Sequence, residues 1–264
     1  MTVVQTNGVR LNMVREGAGP PVVLLHGYLF GAEWWRPQIE ALRDRYEVIA
    51  VDLRGQMASE TTADGYDLWN QAEDIHGVIH ELDLAPAHVV GLSMGGMIAM
   101  RLALTHPADV RSLVLMDTSA VPEDPEMNDR YEAMFSVAAE GNLEPLIPAM
   151  PPIFLADDFI VDHRDEVDAW LDRLREADVR GLVEVGRAIG RRDDILGRLG
   201  EIEAPALVIH GEQDVPLPLD RGREVASAIR GARLVTVSGG HQSNVDRSRE
   251  TSRLIREFLD TVPV

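Results

Sequence analysis

Short apolar runs recur along the chain, and most are separated by stretches where apolar residues return every three or four positions. Residues 22–25, 47–51, 87–91, 110–117, 206–210 and 233–237 read as strands buried on both faces. Trp35, Ile39 and Leu42 mark a helix between the first two, and helical spacing also covers 67–83, 94–105 and 244–260. The opening "TVVQTNGVRLNMVREG" alternates instead and turns at Asn7-Gly8, which predicts a hairpin. Together these elements predict a doubly wound α/β fold with a mostly parallel, eight-stranded sheet and helices on both faces. Ligands of such sheets bind beyond the carboxyl ends of the strands.

The alternation stops between 121 and 196, where the chain is acidic, helical and broken by prolines. We expect a helical cap there, inserted into a core made of 1–120 and 197–264. Met127, Met134, Phe135, Met150 and Phe154 are its candidates for an apolar pocket lining. The competing reading for each is packing between helices.

Composition narrows the chemistry. The chain has no cysteine, which excludes a thiol nucleophile, disulfides and thiolate metal sites. All 25 basic residues are arginine, so Schiff-base chemistry and a lysine-bearing phosphate loop are excluded too. A net charge of −19 opposes nucleic acid and anionic membranes as partners. No apolar run approaches the roughly 18 residues of a membrane span. The first residues lack the basic-then-apolar pattern of a secretory signal, so a cytoplasmic protein is expected. No cofactor or metal is expected, and the oligomeric expectation is a monomer or homodimer.

Candidate chemistry concentrates in four loops. In "VVGLSMGGMIAM", residues 89–100, glycines surround Ser93 where a strand gives way to a helix. A sharp strand-to-helix turn brings backbone close to the positions two before and two after its apex, which requires Gly91 and Gly95. Ser93 would then project its hydroxyl into the ligand crevice, with the Met94 amide at the helix N-terminus facing a developing oxyanion. A serine needs a base. His76, His80, His88, His106 and His163 read as solvated, while His26 and His210 precede glycine at strand ends and read as loop holders. His241, on the glycine-flexed loop "SGGHQSNVD" after the last strand, is the expected base. Its carboxylate partner is Asp214 in "HGEQDVPLP", with Asp117 at the end of 110–117 as the alternative acid. The second oxyanion donor is expected from "HGYLFG", at the Tyr28 amide with Leu29 next in line.

His26-Gly27, the Asp52-Leu53-Arg54-Gly55 loop, "GLSMG" at 91–95, Gly211 to Asp214 and Gly240-His241 occur in this order over almost the whole chain. In this the sequence resembles the α/β-hydrolase fold superfamily, and most closely the 3-oxoadipate enol-lactonase group and its esterase relatives. The resemblance implies a Ser93–Asp214–His241 triad, an oxyanion hole of the Tyr28 and Met94 amides, a lid near 121–196, and a small apolar ester or lactone as substrate. Serine at the elbow disfavours the dehalogenase and epoxide hydrolase branches, which use aspartate. C–C bond hydrolases, perhydrolases and amidases share the same triad, and a non-catalytic small-molecule receptor of the same fold is the alternative outside catalysis. One departure stands out: relatives commonly read Asp-x-Arg-Gly-x-Gly-x-Ser where this chain has "DLRGQMAS". Met57 in place of the second glycine, together with Leu29, is expected to shape the pocket.

Overall fold

In the computed structural model, which describes residues 2–141 and 143–263, eight strands form one sheet in the order β1-β2-β4-β3-β5-β6-β7-β8. They are β1 (Thr2–Thr6), β2 (Val9–Gly17), β3 (Pro21–Leu25), β4 (Glu47–Val51), β5 (Ala87–Leu92), β6 (Val110–Met116), β7 (Ala206–Gly211) and β8 (Arg233–Val237). The hairpin β1–β2 joins β4 antiparallel, and every later pairing is parallel. Every residue of β5 and β7 is buried, as central strands covered on both faces require. Each fully buried valine, leucine or isoleucine there contributes about 1.5–3 kcal/mol relative to exposure.

Helices α1 (Arg36–Leu42), α2 (Leu68–Glu81) and α3 (Met94–Thr105) follow β3, β4 and β5 in turn. Between β6 and β7 the described residues form no strand, only α4 (Pro125–Ala139), α5 (Met150–Phe154), α6 (Asp157–Asp162), α7 (Arg164–Glu176) and α8 (Val179–Gly190), with short 3-10 turns. The chain then returns through α9 (Leu219–Ala228), α10 (Ser243–Asp246) and α11 (Ser248–Leu259). One face of the sheet packs on α2, α3 and α9, with Ile75, Ile98 and Val225 in its core. Trp35, Ile39, Ile255 and Phe258 of α1, its approach and α11 cover the other. A third cluster joins Phe30 and Trp34, after β3, to Trp170, Phe159 and Leu182 of the insertion.

Two expectations need correction. The helix expected at 244–260 is two helices, broken at Arg247, where φ is −130°. Asp246 is held back there by bonds to backbone outside the helix, described below. His88 is buried on β5 rather than solvated: its Nδ1 meets the Ser112 hydroxyl at 2.7 Å, and burial pushes its pKa down to about 4. No helix of the described residues is long and apolar enough to cross a membrane.

Candidate active site

The turn from β5 into α3 puts Ser93 at φ +53° and ψ −115°, a backbone that costs a non-glycine residue of order 1–3 kcal/mol. The surroundings enforce it. A Cβ at Gly91 would collide with the Gly95 carbonyl, and one at Gly95 with the Leu25 carbonyl, so glycine is required at both. The Ser93 amide donates to Met116 O at 2.8 Å, and its carbonyl accepts from the Thr118 hydroxyl at 2.7 Å.

The Ser93 hydroxyl lies 2.8 Å from His241 Nε2, and His241 Nδ1 lies 2.8 Å from Asp214 Oδ2. The second Asp214 oxygen accepts from the Leu217 amide at 2.9 Å, which fixes the carboxylate in its loop after β7. Burial alone would lower the pKa of His241, but the Asp214 charge and hydrogen bond, helped by Asp117 and Asp246, outweigh it and raise the value. Asp117 is placed differently. Its oxygens accept from the Gly211 amide at 2.7 Å and from the Ser243 hydroxyl, and it makes no hydrogen bond to His241 among the described residues. Burial, then repulsion from Asp214, holds its carboxyl well above the usual range.

His26 and His210 hold loops. Leu53 N–H donates to His26 Nε2 at 2.9 Å while His26 Nδ1–H donates to Gly27 O at 2.7 Å. His210 Nε2–H donates to Leu217 O at 2.8 Å. Burial lowers both pKa values, keeping the rings neutral. Asp52 pins the loop after β3 by accepting from the Ala32 amide at 2.7 Å.

That loop makes a tight turn from Gly27 to Phe30, with Leu29 at φ +70°. The Leu29 amide donates to Gln56 Oε1 at 2.8 Å, and its carbonyl accepts from Trp170 Nε1 of α7 at 2.9 Å. Gln56 Nε2 also reaches the Met94 sulfur at 3.9 Å. The amides of Tyr28 and Met94 have no hydrogen-bond acceptor among the described residues. Sequence reasoning missed Gln56, an amide in a polar loop with no periodicity to mark it. It noticed Met57 instead, which does not line the cavity. Met57 sits at φ +49°, which explains the glycine of relatives, and its side chain packs over Gly31.

Ser93 and His241 open into an apolar cavity walled by Leu29, Met134, Phe135, Met150 and Phe154, with Met97 from α3. Phe154 lies 5.8 Å from the His241 ring. Met127 is not part of the wall; it stands in the first turn of α4, exposed. The polar minority is Tyr131 and the ion pair Glu123–Arg192, 3.3 Å apart. A carboxylate also missed from the sequence, Asp246, accepts from the Gly240 amide at 2.8 Å and the Ala156 amide at 3.1 Å; burial pushes its pKa up to about 6.

A family model described as alpha/beta hydrolase fold matches residues 20–139, and one described as TAP-like protein matches 187–264. An AB hydrolase superfamily protein of Bacillus subtilis is 31% identical over 255 residues, covering 93% of each chain. Among solved structures, an esterase from Thermogutta terrifontis is 25% identical with a TM-score of 0.93 over 100% of both chains. The enol-lactonase from Burkholderia xenovorans is 28% identical with a TM-score of 0.92, covering 98% of this chain and 100% of that one.

Proposed function

The chain belongs to the α/β-hydrolase superfamily, and from that premise we propose that it cleaves a small apolar carboxylic ester or lactone through an acyl-enzyme on Ser93. One observation carries this reading: the unbroken chain of hydrogen bonds from the Ser93 hydroxyl through His241 to Asp214. With Nδ1–H committed to Asp214, His241 presents the lone pair of Nε2 to the serine hydroxyl.

Ser93 Oγ attacks the carbonyl carbon as its proton passes to His241 Nε2. Charge moves onto the carbonyl oxygen, towards the free amides of Tyr28 and Met94, each such donor contributing about 2.7–4 kcal/mol to the transition state. The imidazolium then gives its proton to the leaving alkoxide and the C–O bond breaks. A lactone's alkoxide stays tethered to the acyl group; an ester's departs. Water, deprotonated by the same histidine, attacks the acyl-enzyme, and the serine leaves with the returned proton. The apolar wall favours substrates with an apolar acyl or alcohol part. The relatives named an esterase and an enol-lactonase support carbonyl–oxygen cleavage.

The test is covalent labelling of the folded protein with a fluorophosphonate, followed by peptide mapping. We expect one label, on Ser93, and none on Ser93→Ala, which also loses turnover of a nitrophenyl ester. Absence of labelling, or turnover that persists in Ser93→Ala, overturns the proposal.

A further inference from the structure

At the amino ends of the parallel strands, three histidines and two carboxylates gather where α2 passes the turn between α3 and β6. His76 and His80 are one helical turn apart on α2, so their side chains leave the same face. Asp109 lies in the short turn Pro107–Asp109 with its side chain only 6% exposed. One of its oxygens meets His76 Nδ1 at 2.6 Å, and the other meets His80 Nε2 at 3.0 Å. His106, which ends α3, stacks its ring on His76 at 3.7 Å and 11°, and its Nε2 meets Glu73 Oε1 at 2.8 Å.

We propose that His76, His80 and the Asp109 carboxylate form a binding site for a divalent transition metal ion, with zinc as the reference ion. The donor atoms of these three residues already lie within 4.8 Å of one another. A tetrahedral zinc site with bonds of 2.0–2.1 Å spaces its donors about 3.3 Å apart. From 2.6 Å and 3.0 Å, the His76 and His80 pairs therefore open by about 0.7 and about 0.3 Å as the metal replaces the shared protons. Two imidazoles and one carboxylate suit zinc, nickel or copper; calcium and magnesium prefer all-oxygen sets. The site is preformed on its inner side and open on its outer side. Asp109 is buried, and its amide donates to His106 O at 3.0 Å. His80 is 54% exposed, leaving a route in and a fourth position for water.

The location defines what the metal would do. β6 runs from Val110 to Met116, so Asp109 at its amino end is about 25 Å from Asp117 at its carboxyl end. A metal here would staple α2 to the end of α3 and the start of β6, and would leave the chemistry at Ser93 alone.

Tag-free protein stripped with a chelator and titrated with zinc against a chromophoric competitor tests the assignment. We expect one zinc per chain, and a thermal midpoint about 5–10 °C higher at a hundredfold excess over the dissociation constant. The exposed His80→Ala should fold normally, bind zinc at least about tenfold more weakly and lose the thermal shift. His106→Gln should keep both. No zinc binding by the unaltered protein, or unchanged affinity in His80→Ala, overturns the assignment. So does loss in His106→Gln with retention in His80→Ala, because the metal would then sit on Glu73, His76 and His106.

Discussion

Replacing Gln56 with methionine is a direct test of how the turn proposed to donate to the oxyanion is held. Leu29 occupies φ +70°, which costs a non-glycine residue about 1–3 kcal/mol, and its amide is fixed by Gln56 Oε1 at 2.8 Å. Methionine keeps the length and removes the acceptor, stranding a buried N–H at a cost of about 1–3 kcal/mol. That loss matches the strain it was offsetting, so the population of the present turn should fall by a factor of about 5–150. Tyr28 sits in the same turn, one residue earlier. Complete loss of one oxyanion donor, about 10²–10³-fold in kcat, sets the ceiling. For Gln56→Met we expect kcat for a nitrophenyl ester to fall about 5- to 100-fold while KM stays within about twofold, because Met134, Phe135, Met150 and Phe154, the larger part of the apolar wall, are untouched. Circular dichroism should show an unaltered fold. A folded Gln56→Met with undiminished kcat, or with its whole defect in KM, would refute the argument.

Three further outcomes follow from the same geometry. Asp214→Asn should lower kcat by about three to four orders of magnitude, and Asp117→Asn by less than about tenfold, because only Asp214 touches His241; steady-state kinetics of the two folded variants decide, and the reverse ranking contradicts the assignment. His241 acts as a base only when neutral and its pKa is raised, so kcat/KM should fall on the acid side through a midpoint above the ordinary histidine value of 6.5; activity flat down to strongly acidic pH excludes it. Trp170→Ala deletes a fully buried ring stacked 4.7 Å from Phe30, together with the bond to Leu29 O, and should cost about 3–5 kcal/mol, lowering the thermal midpoint by roughly 6–20 °C; calorimetry showing no change would remove α7 as an anchor of this turn.

The parallel strands were legible because burial on both faces leaves uninterrupted apolar runs, as in β5 and β7. The same rule, applied strictly, would have placed His88 in the interior, since it stands inside such a run. Helix periodicity carries on past Arg247 because Ile255 and Phe258 continue the apolar face of α11; the break depends on Asp246 bonding Gly240 and Ala156, contacts from distant sequence. Ser93, Asp214 and His241 were marked by glycines nearby, because sharp turns at strand ends leave that trace. Gln56 left none: its role exists only once the loop after β4 meets the turn after β3. Met57 drew attention as a missing glycine, and the missing glycine is a backbone matter. The side chain tolerates φ +49° and packs against Gly31, clear of the cavity.

The insertion divides into a fastened layer and a looser one, and the division separates reaction geometry from pocket shape. Phe154 O accepts from the Gln242 amide at 2.9 Å, the Ala156 amide donates to Asp246, Trp170 donates to Leu29 O, and Leu182 O accepts from the Tyr28 hydroxyl at 2.8 Å. Each bond ends on the Tyr28 turn or on the segment 242–246 that follows His241, so α5, α7 and the start of α8 are fastened to them. Among the described residues, helix α4 makes no such bond to them. It packs on α8, where Arg187 pairs with Glu132, and Ala138 is its one buried residue. Yet α4 supplies Tyr131, Met134 and Phe135 to the cavity wall. Substitutions on the inner face of α4 can therefore reshape the space offered to the acyl or alcohol group without shifting the Ser93–His241–Asp214 hydrogen bonds, whereas equivalent changes on α7 disturb the turn that presents the Tyr28 amide.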